Sequence, residues 1–417
     1  MSRYRPYPQY KDSGVEWLGT IPDNWDIAKV KHFFYLGRGR VIAQEEMEDK
    51  GLFPVYSSQT KNNGIMGYVS TYDFDCKQIT WTTDGANAGT VFLREGQHNC
   101  TNVCGTLQPK NNNENLEYIT YSLQYATQFY KRPDTNGAKI MNGEMAEIFF
   151  TFPSPEEQQS IANFLDNATC KIDTLIQKQQ NLIELLKEKR QALISHTVTK
   201  GLNPHVKMKD SGVEWLGEVP EHWEVKRVKF LFKIRKRIVG KEGYDVLSIT
   251  QQGIKVKDIE SNEGQLSMDY SKYQFANIGD FAMNHMDLLT GYVDISSFNG
   301  VISPDYRVFT LEDKNSFSKF YLYIFQNGYK NKIFYKFGQG SSQVGRWRLP
   351  TDEFNDFVFP YPSFIEQQEI ANYLDNATCK IDTLISKSQK AIELLKERRT
   401  ALISATVTGK IDVRETA

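Results

Sequence analysis

Cysteine is scarce in this chain and odd in number, five in 417 residues. Neither the count nor the spacing supports a disulfide framework, so a reduced, cytoplasmic setting is expected. Soft ligands crowd in one place, HNCTNVC, which holds His98, Cys100 and Cys104. A structural zinc site wants four ligands, usually from two C-x₂₋₄-C pairs. One pair is present, so buried strand thiols are the expectation and no metal is. No apolar run approaches the ~18 residues of a membrane helix, and the opening MSRYRPYPQYKDSG has no secretory apolar stretch, so no membrane role is expected. Net charge is nearly absent, with 50 basic and 51 acidic residues. That balance leaves nucleic acid open, because the clustering of charge decides it.

Catalytic motifs are missing as well. There is no G-x-x-x-x-G-K-[ST] phosphate loop and no N/D-P-P-F/Y tetrapeptide of the kind that holds an extruded base. GRGR (residues 37–40) lacks the third glycine of a cofactor turn, and PDTNGAK (residues 133–139) is a poor nuclease carboxylate cluster. Six histidines lie apart from any suggestively spaced Ser or Cys. The chain is expected to be non-catalytic.

What is present is repetition. KDSGVEWLG at residues 11–19 returns 198 positions later, at 209–217. A longer stretch beginning at Glu156 returns 209 positions later, at Ile365, and includes the identical DNATCKIDTLI at 166–176 and 375–385. The blocks between, about 38–152 and 235–359, share almost nothing. The reading is therefore four segments: a leader with a variable block (1–152), a first spacer helix (153–203), a second leader and block (204–359) and a second helix (360–417).

The spacers are read as helices from apolar residues alternating four and three apart: Ile161, Leu165, Ala168, Ile172, Leu175, Leu182, Leu186 and Leu193. The second copy gives Ile370, Leu374, Ala377, Ile381, Leu384, Ala391, Leu395 and Leu402. Such a heptad seam must be buried, and polar Gln179 and Ser388 within it suit a fixed register. Pairing of the two helices with each other is the simplest reading; two separate coiled coils, each with another chain, is the alternative. The blocks mix short β-rich runs with one amphipathic helix each, LEYITYSLQYATQFYK and SKFYLYIFQNGYKNKIF. The expected fold class is α+β: two globular mixed domains separated by two long antiparallel coiled-coil helices, a pseudo-twofold internal repeat.

Binding chemistry lies in a basic strand and in polar loops. VKRVKFLFKIRKRIV (residues 225–239) carries seven Lys or Arg and no acid, which suits a strand facing phosphates as well as an ordinary solvated face. Arg pairs with guanine edges and Asn or Gln with adenine, so loops rich in them can read bases. Candidate DNA contacts in the first block are Lys61, Asn62, Asn63, Asn87, Arg94, Asn102 and Lys139. In the second they are Lys233, Arg235, Lys236, Arg237, Gln251, Gln252, Asn284, His285, Gln339, Ser341, Ser342, Arg346 and Arg348.

The SGVEWLG leaders, the EQQ.IA…LDNATCKIDTLI spacers and PVYSSQ…GIMGYV in the first block together resemble the specificity subunit of type I restriction–modification systems, over essentially the full chain. The resemblance implies two target-recognition domains, each reading half of a bipartite, asymmetric double-stranded DNA site, with the helices fixing the gap. It implies two docked modification subunits that methylate adenine with S-adenosylmethionine, and restriction subunits that use ATP and Mg. Those cofactors belong to the partners; none is expected on this chain. Asp166, Asn167, Lys171 and Asp173, with their copies Asp375, Asn376, Lys380 and Asp382, stay identical beside diverged blocks and are expected to dock the modification subunits. A coiled-coil adaptor with two ligand-binding heads and no DNA role would explain the repeats but not the basic strand or the loops.

Overall fold

The structure, a computed structural model, describes residues 5–111, 113–135, 137–259, 267, 269–340 and 347–414. Four helices organise it: α1 (Leu116–Ala126), α2 (Pro155–Lys200), α3 (Ser318–Lys330) and α4 (Phe364–Val407). Contacts divide the chain into two units, residues 1–180 with 390–417, and residues 181–389. The divide falls inside both long helices, so each unit takes part of α2 and part of α4.

The long helices begin on matching devices. Pro155 opens α2, where its missing N–H costs nothing. Ser154 Oγ accepts from Glu157 N at 3.4 Å, and Ser363 Oγ from Glu366 N at 3.3 Å. The buried Gln158 and Gln367 amides donate at 2.9 Å to the carbonyls of Pro153 and Pro362. Both helices stop at glycine: Gly201 has φ +76° and Gly409 φ +69°, a left-handed backbone that favours Gly. α2 is 46 residues long, about 70 Å at 1.5 Å per residue.

The buried seam differs from the expected one. Leu175 is 46% and Leu182 42% exposed, and Leu384 is 49% exposed. Their neighbours turn inward instead: Ile183 is buried, Ile176 and Ile385 are half-buried. The correct heptad is Ile172, Ile176, Gln179, Ile183 and Leu186, and in the second copy Ile381, Ile385, Ser388, Ile392 and Leu395. Adjacent Leu and Ile both satisfy a three-or-four spacing, so the pattern alone could not choose. The polar seam positions stand: Ser388 is buried and Gln179 half-buried.

In the first unit, β1 (Phe34–Arg38), β2 (Gln78–Thr82), β3 (Val91–Arg94) and β4 (Cys104–Pro109) form an antiparallel sheet in the order β3-β2-β4-β1. α1 packs on it, its first turn capped by Asn115, whose side chain accepts from Tyr118 N at 2.9 Å. A second sheet joins strands Phe53–Tyr56, Ile65–Val69, Gln97–Cys100 and Phe74–Asp75. In the other unit, β5 (Phe232–Arg235), β6 (Phe281–Met283), β7 (Val293–Ile295) and β8 (Arg307–Leu311) repeat the plan, in the order β7-β6-β8-β5. One topology thus carries two unlike sequences.

The β3-β2-β4-β1 and β7-β6-β8-β5 sheets each share a core with the long helices. Trp25, Trp81, Tyr118 and Phe150 cluster with Ile161, Leu165, Ile403 and Val407 in the first unit. Trp223, Phe281, Phe309 and Phe325 cluster with Ile194, Val198, Ile370 and Leu374 in the second. Aromatics fill the second core, with Phe232, Phe281, Phe309 and Phe325 in edge or stacked contact.

Candidate nucleic-acid interface

In the first unit, residues 57–64 loop between two strands, and Lys61, Asn62 and Asn63 stand exposed on it. Asn62 and Asn63 hold φ of 48° and 50°, a left-handed pair that asparagine tolerates better than most residues. The loop is tied from several sides. The Gln59 amide donates to the Ile65 carbonyl, and Asn87 Nδ2 to the Ser58 carbonyl at 3.2 Å. Beneath it lies Arg94, which the structure corrects from an expected DNA contact to a buried residue, 2% exposed. Its guanidinium lies 3.6 Å from the Tyr56 ring centroid and donates from Nη1 to the Asn63 carbonyl at 2.8 Å. Burial pulls its pKa below the usual arginine value.

Asn87 is half-buried in that tie, and Asn102 is exposed with its carbonyl accepting from Arg38 Nε. Lys139 pairs with Asp134 at 3.1 Å on the ribbon of strands Arg132–Asp134 and Gly137–Lys139. The next residue is latched to the sheet: Trp81 Nε1 donates to the Ile140 carbonyl at 2.9 Å. His98, Cys100 and Cys104 face inward. The His98 ring stacks on Phe74 at 5.5 Å and its Nε2 lies 2.9 Å from Gln78 Nε2. Burial raises both thiols, Cys104 to about 11.

In the second unit the basic run is not one strand but falls on two, Glu224–Arg227 and Phe232–Arg235, in different sheets, and its charges are largely satisfied internally. Arg227 and Lys229 meet Asp356 at 3.5 and 2.7 Å, Arg235 reaches Glu312, and Arg237 reaches Asp280. Lys233 and Lys236 remain exposed. The acids that neutralise the run are distant in sequence, which is why it looked unbalanced.

Arg348 is exposed, with its backbone paired to exposed Gln339 by bonds of 2.8 and 3.0 Å. The neighbouring Trp347 indole donates to the Tyr335 carbonyl at 2.7 Å and lies against Gly338 and Gly340, where a side chain would have no room. Leu288 N bonds the Trp347 carbonyl, and Leu349 N the His285 carbonyl, at 3.0 and 2.9 Å. The His285 side chain is half-buried, and burial beside Arg307 and Arg348 pushes its pKa down to about 3. Asn284 is half-buried too, its carbonyl accepting from Tyr329 OH at 2.7 Å. Gln251 and Gln252 are exposed, the latter accepting from Lys255 at 2.7 Å. Ser341, Ser342 and Arg346 lie outside the described residues.

The repeated helical stretch turns out to be half committed inside the chain. Tyr121 OH donates to Asp166 at 2.7 Å, and Tyr323 OH to Asp375 at 2.9 Å, with Lys319 also on Asp375. Asp173 accepts from Arg399, and Asp382 from Arg190. Those four carboxylates thus make intramolecular ties, while Asp173 and Asp382 stay about half exposed. Asn167, Lys171, Asn376 and Lys380 are exposed, the two asparagines also donating to carbonyls one turn back at 2.9 Å.

Sequence reasoning missed Arg190, Arg399, Arg307 and Trp347. For Arg307 a signal existed: it is the one charge in the strand RVFTL. Arg190 and Arg399 recur at the 209-residue offset, which marked them as equivalents without revealing their partners.

A family model described as the type I restriction modification DNA specificity domain matches twice, over residues 22–185 and 220–394. The type I restriction enzyme MjaVIII specificity subunit of Methanocaldococcus jannaschii is 26% identical and covers 94% of each chain. A Mycoplasma pneumoniae protein described as the N-terminus of a type I specificity subunit is 41% identical over 139 residues, 33% of this chain and 74% of that one. In fold, the chain is similar to one solved in work on complex assembly and conformational transition of the type I R-M system: TM-score 0.67, 11% identity, 93% of this chain and 98% of that one.

Proposed function

The chain belongs to the type I restriction–modification DNA specificity family, and we propose that its two recognition domains read unlike halves of one bipartite DNA site. The observation that carries this is one sheet topology built twice from unrelated sequence on near-identical helices. Shared topology suits a shared task; unlike loops suit unlike base sequences. The adaptor alternative gains nothing from these loops, which present Lys, Asn, Gln and Arg rather than an apolar pocket.

In this proposal the chain itself performs no chemistry and works in the cytoplasm. Two adenine-methyltransferase subunits dock on the repeated helices, with Asn167, Lys171, Asn376 and Lys380 as the candidate contacts. Restriction subunits join that assembly. S-adenosylmethionine, ATP and Mg act in the partners, and this chain holds none of them. The lengths of α2 and α4 set the number of unread base pairs. Salt titration of DNA binding tests the reading: affinity of the assembled complex should fall steeply as salt rises, since released counterions drive phosphate contact. Salt-independent or absent DNA binding would contradict it.

A further inference from the structure

Among the described residues two arginines are buried, Arg94 at 2% and Arg307 at 4% exposure, one in each recognition domain. Neither meets a carboxylate in the ion pairs of those residues. Burying an unpaired guanidinium is costly, and an apolar side chain of similar size would fill the space without that cost. The two share three further features. Each lies against an aromatic ring, Arg94 at 3.6 Å from the Tyr56 centroid and Arg307 at 4.4 Å from that of Phe354. Each donates to a main-chain carbonyl at or beside an exposed candidate reader: Arg94 Nη1 to exposed Asn63 at 2.8 Å, and Arg307 Nη2 to buried Leu349, next to exposed Arg348, at 3.2 Å. Each also reaches a threonine hydroxyl, Thr80 at 3.3 Å and Thr351 at 3.3 Å.

We propose that Arg94 and Arg307 are positioning residues that brace the base-reading loops of the two recognition domains, presenting Asn62 and Asn63 in one and Arg348 in the other. The inference rests on the functional reading above. In the first domain the brace holds a backbone that resists its own geometry, because two successive non-glycine residues are left-handed there. In the second it fixes the strip of residues 347–349 that is also gripped by His285 and Leu288. Among the described residues, Arg307 Nη1, Asn284 Oδ1 and His285 Nδ1 are all buried without a hydrogen-bond partner. Such spare capacity is expected where placement of a loop outweighs stability. A guanidinium does this better than an ammonium, since its planar fork can donate to a carbonyl and a hydroxyl while lying flat on a ring.

The test is the methylated motif in cells carrying the full chain with its methyltransferase partner. Arg94→Lys keeps a charge but loses the fork. Asn62→Gly and Asn63→Gly keep the left-handed backbone and remove only the side chains, so folding is not at risk. These three should broaden base choice in one half-site, by about tenfold or more at the affected position, and leave the other half unchanged. Arg307→Lys and Arg348→Ala should do the converse. Equal loss of methylation at all sites with both half-sites unchanged would make the arginines merely structural and overturn the proposal. Glycine and alanine variants that leave the motif intact would overturn it as well. A wild-type complex with no bipartite adenine motif would overturn the functional reading and this inference with it, whereas an intact wild-type motif with unchanged variants overturns the bracing alone.

Discussion

Arg399 donates from Nε to Asp173 at 3.1 Å, and Arg190, 209 positions earlier, donates to Asp382 at 3.0 Å. Each copy of the repeated stretch is thus tied to an arginine from the other helix. Because the side chains are between 31% and 53% exposed, solvent screens the pair. A double-mutant cycle on Arg399 and Asp173 should give a coupling of about 0.5 kcal/mol that shrinks in high salt. Urea unfolding of the four proteins measures it, and zero coupling at low salt would show the contact to be incidental.

The inward turn of Ile183 rather than Leu182 makes a sharper prediction. Ile183→Ala should cost about 2–4 kcal/mol, as a buried large-to-small change. Leu182→Ala should cost less than about 1 kcal/mol. Chemical denaturation ranks them, and the reverse order would restore the other seam.

His285 gives a pH dependence. Its imidazole is held down to about 3 by burial and by Arg307 and Arg348, against ~6.5 in an unfolded chain. Between those values the unfolded chain binds the extra proton. The contribution is therefore complete above pH ~6.5 and is lost as pH falls toward 3. His285→Gln should flatten the stability profile across that window. Parallel profiles for the two proteins would place the ring in water.

How much was legible beforehand depends on where partners sit in the chain. Helix periodicity and matched starts were local, so the long helices and the polar seam positions Gln179 and Ser388 could be read. The choice between Leu175 and Ile176 could not, because both fit the spacing and only packing decides. Arg94 read as a surface base since Tyr56 and Thr80, from other strands, and Asn63, from the loop between two strands, enclose it. The basic run at 225–239 read as free charge because Asp280, Glu312 and Asp356 lie far along the sequence. The identity of DNATCKIDTLI pointed wholly outward until Tyr121, Tyr323, Arg190 and Arg399 were seen to claim its aspartates.

If the long helices set the gap, removing one heptad from α2 and one from α4 together should shorten the unread spacer and leave both half-site sequences unchanged. The methylated motif of the deletion variant reports this. Altered half-sites with an unchanged gap would refute the helices as spacer.

The central claim, two unlike readers on one chain, is tested most directly by mapping methylated adenines across the genome of cells that carry this subunit with its methyltransferase partner. The account predicts one bipartite motif whose two halves differ in sequence and are separated by a fixed run of unspecified bases. A palindromic motif, or methylation with no bipartite pattern, would contradict it.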